Sequence, residues 1–395
     1  MKTHTSQLWT VFHSSLLLVG SCVAAFTPAG AQASTITAVH TFPSSIAPGK
    51  TSLVLGDDGD YYGVTRAGGE SYSGSFYRLT SGGTFTELMH WSGPDGAYPD
   101  SLIKGSDGNL YGTTEGGGYY GYGTVFQMLT DGTLTVLMDF TGGGDGYHPD
   151  NLVEGSSGEF YGTTEGGGDY GDGTVFELDD FYSLTTLRSF DASVTGRLPN
   201  SLIYASDGNL YGTTYVGGTY NSGTVYCLDP WGHIVVLEQL GQYAFYDGAN
   251  PMCIMEKEPG KFIGLTSGGG SYGRGLVFTY TEDLGYVTWI DFYTGEYTGY
   301  APFSSPILAS NGSLYGTMST GGYSPSDVDG GGTLYRMEFD FSNYSYNFTT
   351  LVNFNSAGPI GAAPSAGLMD DGAGHFYGTT GNTSIGSPKI FKFTP

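Results

Sequence analysis

Two carboxylates, Glu115 and Glu165, end near-identical stretches, Leu110-Tyr111-Gly112-Thr113-Thr114-Glu115 and Phe160-Tyr161-Gly162-Thr163-Thr164-Glu165. Carboxyl pairs flanking a glycosidic bond hydrolyse it when roughly 5–9.5 Å apart, the separation setting the stereochemistry. Equivalent positions in packed neighbouring sheets lie on the order of 10 Å apart, close to that range. Glu115 and Glu165 are therefore the candidate catalytic pair. The competing reading is that two well-matched repeats share a solvated Glu. The same position holds Arg66 in an earlier copy and Tyr215 in a later one, so local function is expected in what differs there.

Other residues bear on the chemistry. Asp100, Asp150 and Asn200 follow Pro99, Pro149 and Pro199 in matching places. They are expected either to ring the mouth of a central channel, where oxygens could hold calcium or a polar ligand, or to satisfy backbone donors in a turn. Asp327-Val328-Asp329-Gly330 is a fragment of a calcium-loop pattern without the remaining ligand spacing. Tyr72, Tyr119, Tyr120, Tyr122, Tyr170, Tyr220 and Tyr272 fall in Gly-rich loops. Flat rings with a hydroxyl suit sugar or peptide surfaces, or else pack on the next repeat. Tyr119 and Tyr122 break the repeat pattern and are the stronger binding candidates. His148 occupies the place of Tyr98 in the preceding copy. No His pair has metal-ligand spacing and no nucleophile motif of the G-x-S-x-G kind is present.

The elements that must position these residues follow from a repeat. The position of Tyr111 recurs at Tyr62, Tyr161, Tyr211, Ile263, Tyr315 and Tyr377, at steps of 49 to 62 residues. Within a copy, the Asp-Gly of Ser106-Asp107-Gly108-Asn109 turns one strand into Leu110–Thr114. A Gly-rich loop leads to Thr124–Met128, and Thr130-Asp131-Gly132 turns the chain into Leu134–Phe140. β-Branched and aromatic residues fill these strands and no helical period is sustained. Four antiparallel strands per copy of about 50 residues describe a propeller blade, and a solenoid repeat is usually shorter. The expected fold is all-β, a seven-bladed β-propeller. The seventh copy ends after its third strand, and Ile36–Phe42 aligns with the missing fourth. The N-terminal strand is thus expected to complete the last blade and cover its edge. Tight turns fall on one face of the ring and long Gly/Tyr/Asp-rich loops on the other, where function is expected.

Bulk composition narrows the partners. With 38 acidic against 13 basic residues the net charge is −25, which repels nucleic acid and acidic membranes. Residues 1–33 read as a signal peptide, with an apolar run before Ala31-Gln32-Ala33. Lipidation at Cys22 is the alternative processing. A single domain over 34–395, secreted, periplasmic or at the cell surface, is expected, as a monomer with no transmembrane segment. Cys227 and Cys253 are too few for a disulfide framework.

The pattern D-G-N-L-Y-G-T-T-x-x-G-G followed by G-T-V-F resembles the GloVer tandem repeat of exported bacterial proteins and covers essentially the whole mature chain. That resemblance implies a secreted, propeller-like protein and brings no established reaction or catalytic residues. The Gly-Gly after strand two is also similar to kelch repeats, at the level of fold alone. The expected role is non-catalytic recognition of a neutral or cationic carbohydrate or protein, without a required cofactor. A glycan-processing enzyme using Glu115 and Glu165, or a structural envelope protein, are the alternatives.

Overall fold

The computed structural model describes residues 34–49, 52–243, 246–292, 299–302, 304–322, 330–355, 358–381 and 386–395. The signal-peptide segment with Cys22, and Asp327-Val328-Asp329, lie outside the described residues. Ser34–Pro395 forms one compact unit. It is all-β: seven antiparallel sheets arranged as a seven-bladed propeller. Among the described residues no helix is long and apolar enough to cross a membrane.

The second blade shows how the repeat words act. Its strands run Ala97–Lys104, Leu110–Gly116, Thr124–Met128 and Leu134–Asp139, paired in chain order. At the first hairpin Gly108 takes φ +85°, and the Asp107 carboxylate accepts the Asn109 N–H at 3.0 Å and the Tyr111 hydroxyl at 2.9 Å. The same bonds recur at Asp207, Asn209 and Tyr211. Asp-Gly-Asn-Leu-Tyr is thus a complete turn specification, in which the side chain replaces a backbone acceptor. On the next strand pair Thr114 and Thr124 bring their hydroxyls to 2.9 Å, and the Thr124 N–H donates to Thr114. A Cβ on Gly112 would stand 2.6 Å from the Phe126 ring, so only glycine lets that ring lie across the strand.

Tyr111 faces the next blade, its ring centroid 4.4 Å from that of Phe160. Tyr211 with Phe262 (4.1 Å) and Tyr315 with Phe376 (4.3 Å) repeat the contact. Across the closure Tyr377 meets Tyr61 at 4.5 Å. Such pairs add about 0.5–1.5 kcal/mol each beyond the burial of their area. The closure itself is the expected one. Thr35–Thr41 pairs antiparallel with Lys389–Thr394, with Ile36 opposite Phe393, and becomes the outer strand of the last blade. Phe42 is buried behind it, and His40 stacks on Phe85 of the first blade at 3.8 Å.

A second interlock joins the blades on the long-loop face. Pro149 of the third blade seats its Cδ where a Cβ on Gly123 would stand, 2.6 Å away. Gly74 with Pro99, Gly173 with Pro199, Gly223 with Pro251 and Gly332 with Pro364 repeat the fit. The residue before each of these prolines is left-handed: Tyr98 (φ 59°), His148 (52°), Leu198 (55°), Asn250 (54°) and Ala363 (51°). Its N–H crosses to the previous blade, as from His148 to the Tyr122 carbonyl at 3.0 Å and from Tyr98 to Ser73 at 2.8 Å. A non-glycine residue here costs on the order of 1–3 kcal/mol, which the inter-blade bond and proline packing offset.

The two cysteines among the described residues are free, Cys253 buried and Cys227 half-buried.

Candidate functional site

Blades two to seven bring two positions together where the innermost strand begins and the second strand ends. One is the left-handed residue before proline; the other is the residue after Tyr-Gly-Thr-Thr. Glu115 and Glu165 lie within the second strand, which runs on to Gly116 and Gly166, not just past it as the turn chemistry suggests. The innermost strand likewise starts earlier than Asp100, at Ala97. The reason is local. Ala97 still pairs with Gly116 and Pro99 with Thr114, and a β-bulge between Pro99 and Ser101 absorbs Asp100. Asn200 sits in the same bulge between Pro199 and Ser201, and Asp150 in the wider one between Pro149 and Leu152.

A bulge re-aims its side chain, and at Asp100 and Asn200 the side chain reaches a neighbouring blade. Asp100, 2% exposed, receives Arg66 Nη1 of the first blade at 3.3 Å. The other guanidinium nitrogen of Arg66 contacts the Glu115 carboxylate. One cation thus ties two carboxylates of the next blade, and Asp100 is not a buried unpaired charge, which would cost several kcal/mol. Asn200 donates to the Pro251 carbonyl of the fifth blade at 2.8 Å and accepts from Thr213 at 2.9 Å. The Asp150 carbonyl accepts the Thr113 hydroxyl of the second blade at 2.9 Å, and its carboxylate lies 3.4 Å from Asn151 Nδ2.

In the third blade His148 Nδ1 lies 3.8 Å from the Glu165 carboxylate, both groups about two-fifths exposed. In the fourth, Tyr215 is 37% exposed and its carbonyl accepts from Asn250 Nδ2 at 3.0 Å. Blades five to seven carry Ser267, Ser319 and Gly381 at the Glu115 position, and Asn250, Ala301 and Ala363 at the His148 position. Ser267 and Ser319 spend their hydroxyls on the Asn250 and Ala301 carbonyls, at 3.1 and 3.0 Å. The inner ring is therefore polarised. Blades one to four present charge, imidazole and phenol, and blades five to seven present small side chains. Tyr98 (44% exposed) and Asn250 belong to this ring and were not singled out from sequence; the signal available was the X-Pro column that recurs in every copy.

Glu115 and Glu165 each have a cationic or imidazole neighbour of their own. Tyr119 is 82% exposed, with its ring edge-on to Tyr120 at 4.9 Å. Tyr122 is 43% exposed and lies beside Tyr147 at 6.3 Å. The regularly placed loop tyrosines Tyr170, Tyr220 and Tyr272 are exposed. Among the described residues no group of three or more His, Cys, Asp or Glu gathers to hold a metal.

No curated protein matches the chain. Among solved structures, a catalytically inactive variant of virginiamycin B lyase from Staphylococcus aureus, with quinupristin, aligns with a TM-score of 0.60 at 13% identity, covering 92% of this chain and 99% of that one. The extracellular domain assigned to a hybrid two-component system of B. thetaiotaomicron aligns with a TM-score of 0.57 at 14% identity, over 90% of this chain and 41% of that one. A puromycin-hydrolyzing peptidase of Mycobacterium tuberculosis aligns with a TM-score of 0.56 at 13% identity, over 93% and 55%. At such identities the likeness is one of fold. The sequence pattern of the Gloeobacter/Verrucomicrobia repeat matches residues 48–256 and 251–395, and the chain belongs to that family.

Proposed function

We propose that this is an exported recognition propeller that binds a neutral or cationic ligand on its long-loop face, with the charged half of the inner ring selecting it. The observation that carries this reading is the Arg66–Asp100–Glu115 cluster beside His148–Glu165, against small residues on the opposite blades. Such a ring holds a ligand off-centre and in one orientation. Glu115 is tied to the Arg66 guanidinium of the first blade rather than left as a bare carboxylate. Net charge of −25 disfavours polyanions.

An array of neutral, cationic and anionic glycans and peptides, read with wild type and with a Glu165→Gln/Tyr215→Ala variant, tests it. Binding without turnover that weakens in the variant is expected. Binding equal in both proteins would remove the inner ring from recognition.

The second reading, an enzyme, is favoured by one feature: an exposed imidazole on a strained backbone beside a carboxylate, at His148 and Glu165. Product release from an array member that disappears in His148→Ala would establish it in place of simple recognition.

A further inference from the structure

Four consecutive blades place an exposed tyrosine at one and the same position of the loop between strands two and three, and the first blade places Tyr72 one residue later. Tyr72 is 71% exposed, Tyr120 54%, Tyr170 62%, Tyr220 44% and Tyr272 65%. These rings lie outside the inner ring of polar residues, on the same face. Their loops are held. The residue before the tyrosine donates its N–H to the last side chain of the outer strand in four blades. Tyr119 bonds Asp139 at 2.7 Å, Asp169 bonds Ser189 at 3.1 Å, Thr219 bonds Gln239 at 2.8 Å and Ser271 bonds Asp291 at 3.2 Å. Two left-handed glycines precede each of these residues, as at Gly167 and Gly168. Aromatic rings on such pre-ordered loops lose little conformational freedom when they are covered.

Beside one ring the surface is hollowed. A depression of about 400 Å³ is lined by Tyr170, Asp169, Gly144, Thr186, Arg188 and Ser189. The Arg188 guanidinium borders it, its Nε buried and without a hydrogen-bond partner among the described residues. A flat ring beside a donor, a carboxylate and hydroxyls is the combination that stacks on a sugar ring and reads its hydroxyl groups.

We infer that this arc is an extended binding surface for one linear, neutral glycan chain, sugar rings of which, spaced at intervals along it, stack on the tyrosines of successive blades. The inference rests on the recognition reading above and names its ligand class. Periodicity favours a polymer, because four equivalent contacts in one register match a repeating chain and have no counterpart on an irregular protein surface. Charge favours a neutral polymer: Asp139, Asp169 and Asp291 stand beside the arc on a chain of net charge −25. Neighbouring blades are on the order of 10 Å apart, so a ligand must span at least that distance to gain from two rings.

The test uses the mature chain with hydroxyethyl cellulose, galactomannan and laminarin as neutral probes, carboxymethyl cellulose as the anionic one, and disaccharides as short ones. Affinity electrophoresis and calorimetry are the readouts. At least one neutral polymer is expected to bind, on the order of a hundredfold more tightly than its disaccharide, as linked contacts do. A Tyr120→Ala/Tyr170→Ala/Tyr220→Ala variant with unchanged Tm is expected to bind at least tenfold more weakly, and the anionic polymer more weakly than its neutral counterpart. Unchanged affinity in that variant, disaccharide binding as tight as the polymer's, or capture of proteins but no glycan would overturn the inference. If the Glu165→Gln/Tyr215→Ala variant loses array binding while the tyrosine variant keeps it, the arc fails and recognition at the inner ring stands. If neither variant changes binding, both fail.

Discussion

Pro149 lies against Gly123 of the preceding blade so closely that its Cδ is 2.6 Å from where a Cβ on the glycine would be. The same clasp holds His148, whose N–H bonds the Tyr122 carbonyl next to that glycine. A scaffold contact and a candidate site residue are thus adjacent in one chain segment, and backbone strain at His148 is sustained by inter-blade packing.

Replacing Gly123 by alanine forces a side chain at φ +99° into Pro149. Strain and overpacking together are expected to cost about 2–4 kcal/mol. Gly121, also left-handed but with open space around it, should cost about 1–2 kcal/mol on the same change. Chemical denaturation of the two variants checks the difference; equal losses would show that the clasp adds nothing beyond backbone strain.

Removing Arg66 leaves Asp100 buried without its cation. Arg66→Met is expected to destabilise the fold by about 1–3 kcal/mol, the cost of a buried carboxylate that loses its charge-assisted bond to the guanidinium. Asp100→Asn in the same chain should restore most of the loss. A double-mutant cycle measures the coupling, and additive losses would mean the pair contributes nothing as a pair.

The outer strand of the last blade comes from the other end of the chain. A variant lacking residues 34–42 exposes the edge of Lys389–Thr394 and uncovers Phe85. Self-association is expected, seen by size-exclusion chromatography with light scattering, because an open edge pairs with another chain. A monomer with wild-type Tm would show that the closure is dispensable.

Glu238, on the outer strand of the fourth blade, occupies a place that is apolar at Met138 and Ile290. Burial, and then the neighbouring Asp247 carboxylate, push it from 4.5 up to about 7. Folding therefore favours its protonated form. The stability this allows is complete below the unfolded value and is lost as pH rises from about 4.5 to about 7. Glu238→Gln is expected to raise Tm by roughly 1–3 °C at pH 8 and by little at pH 4.5. The same gain at both values would remove ionisation as the cause.

Burial pushes the Cys253 thiol up to about 12. Thiolate is the reactive form, so a thiol reagent at pH 8 should label half-buried Cys227 first and reach Cys253 only on unfolding. Equal rates on the folded protein would contradict the burial.

Most of the fold is legible in local words because each word specifies a local event. Asp107-Gly108-Asn109 makes a turn through its own side chain, Gly112 admits one ring, and Tyr111 faces the next copy. Their recurrence counts the blades, and the split seventh copy predicts the closure. The inner ring was legible only as columns: Arg66, Glu115, Glu165 and Tyr215 in one, and Asp100, Asp150 and Asn200 in another. What the columns could not say is which side chains meet. Arg66 reaches Asp100 across 34 residues of sequence because a β-bulge turns Asp100 towards the previous blade. His148 meets Glu165 because a left-handed residue precedes proline and pairs across the hairpin. The exposure of the loop tyrosines was likewise undecidable from type and spacing, since a ring that packs and a ring that binds have the same sequence. Sequence alone determined the repeat, the strand pattern and the closure, because hydrogen bonds and turns are local. The pairing of charges and the outward face of the tyrosines were decided by the tertiary structure, because both depend on which blade lies beside which.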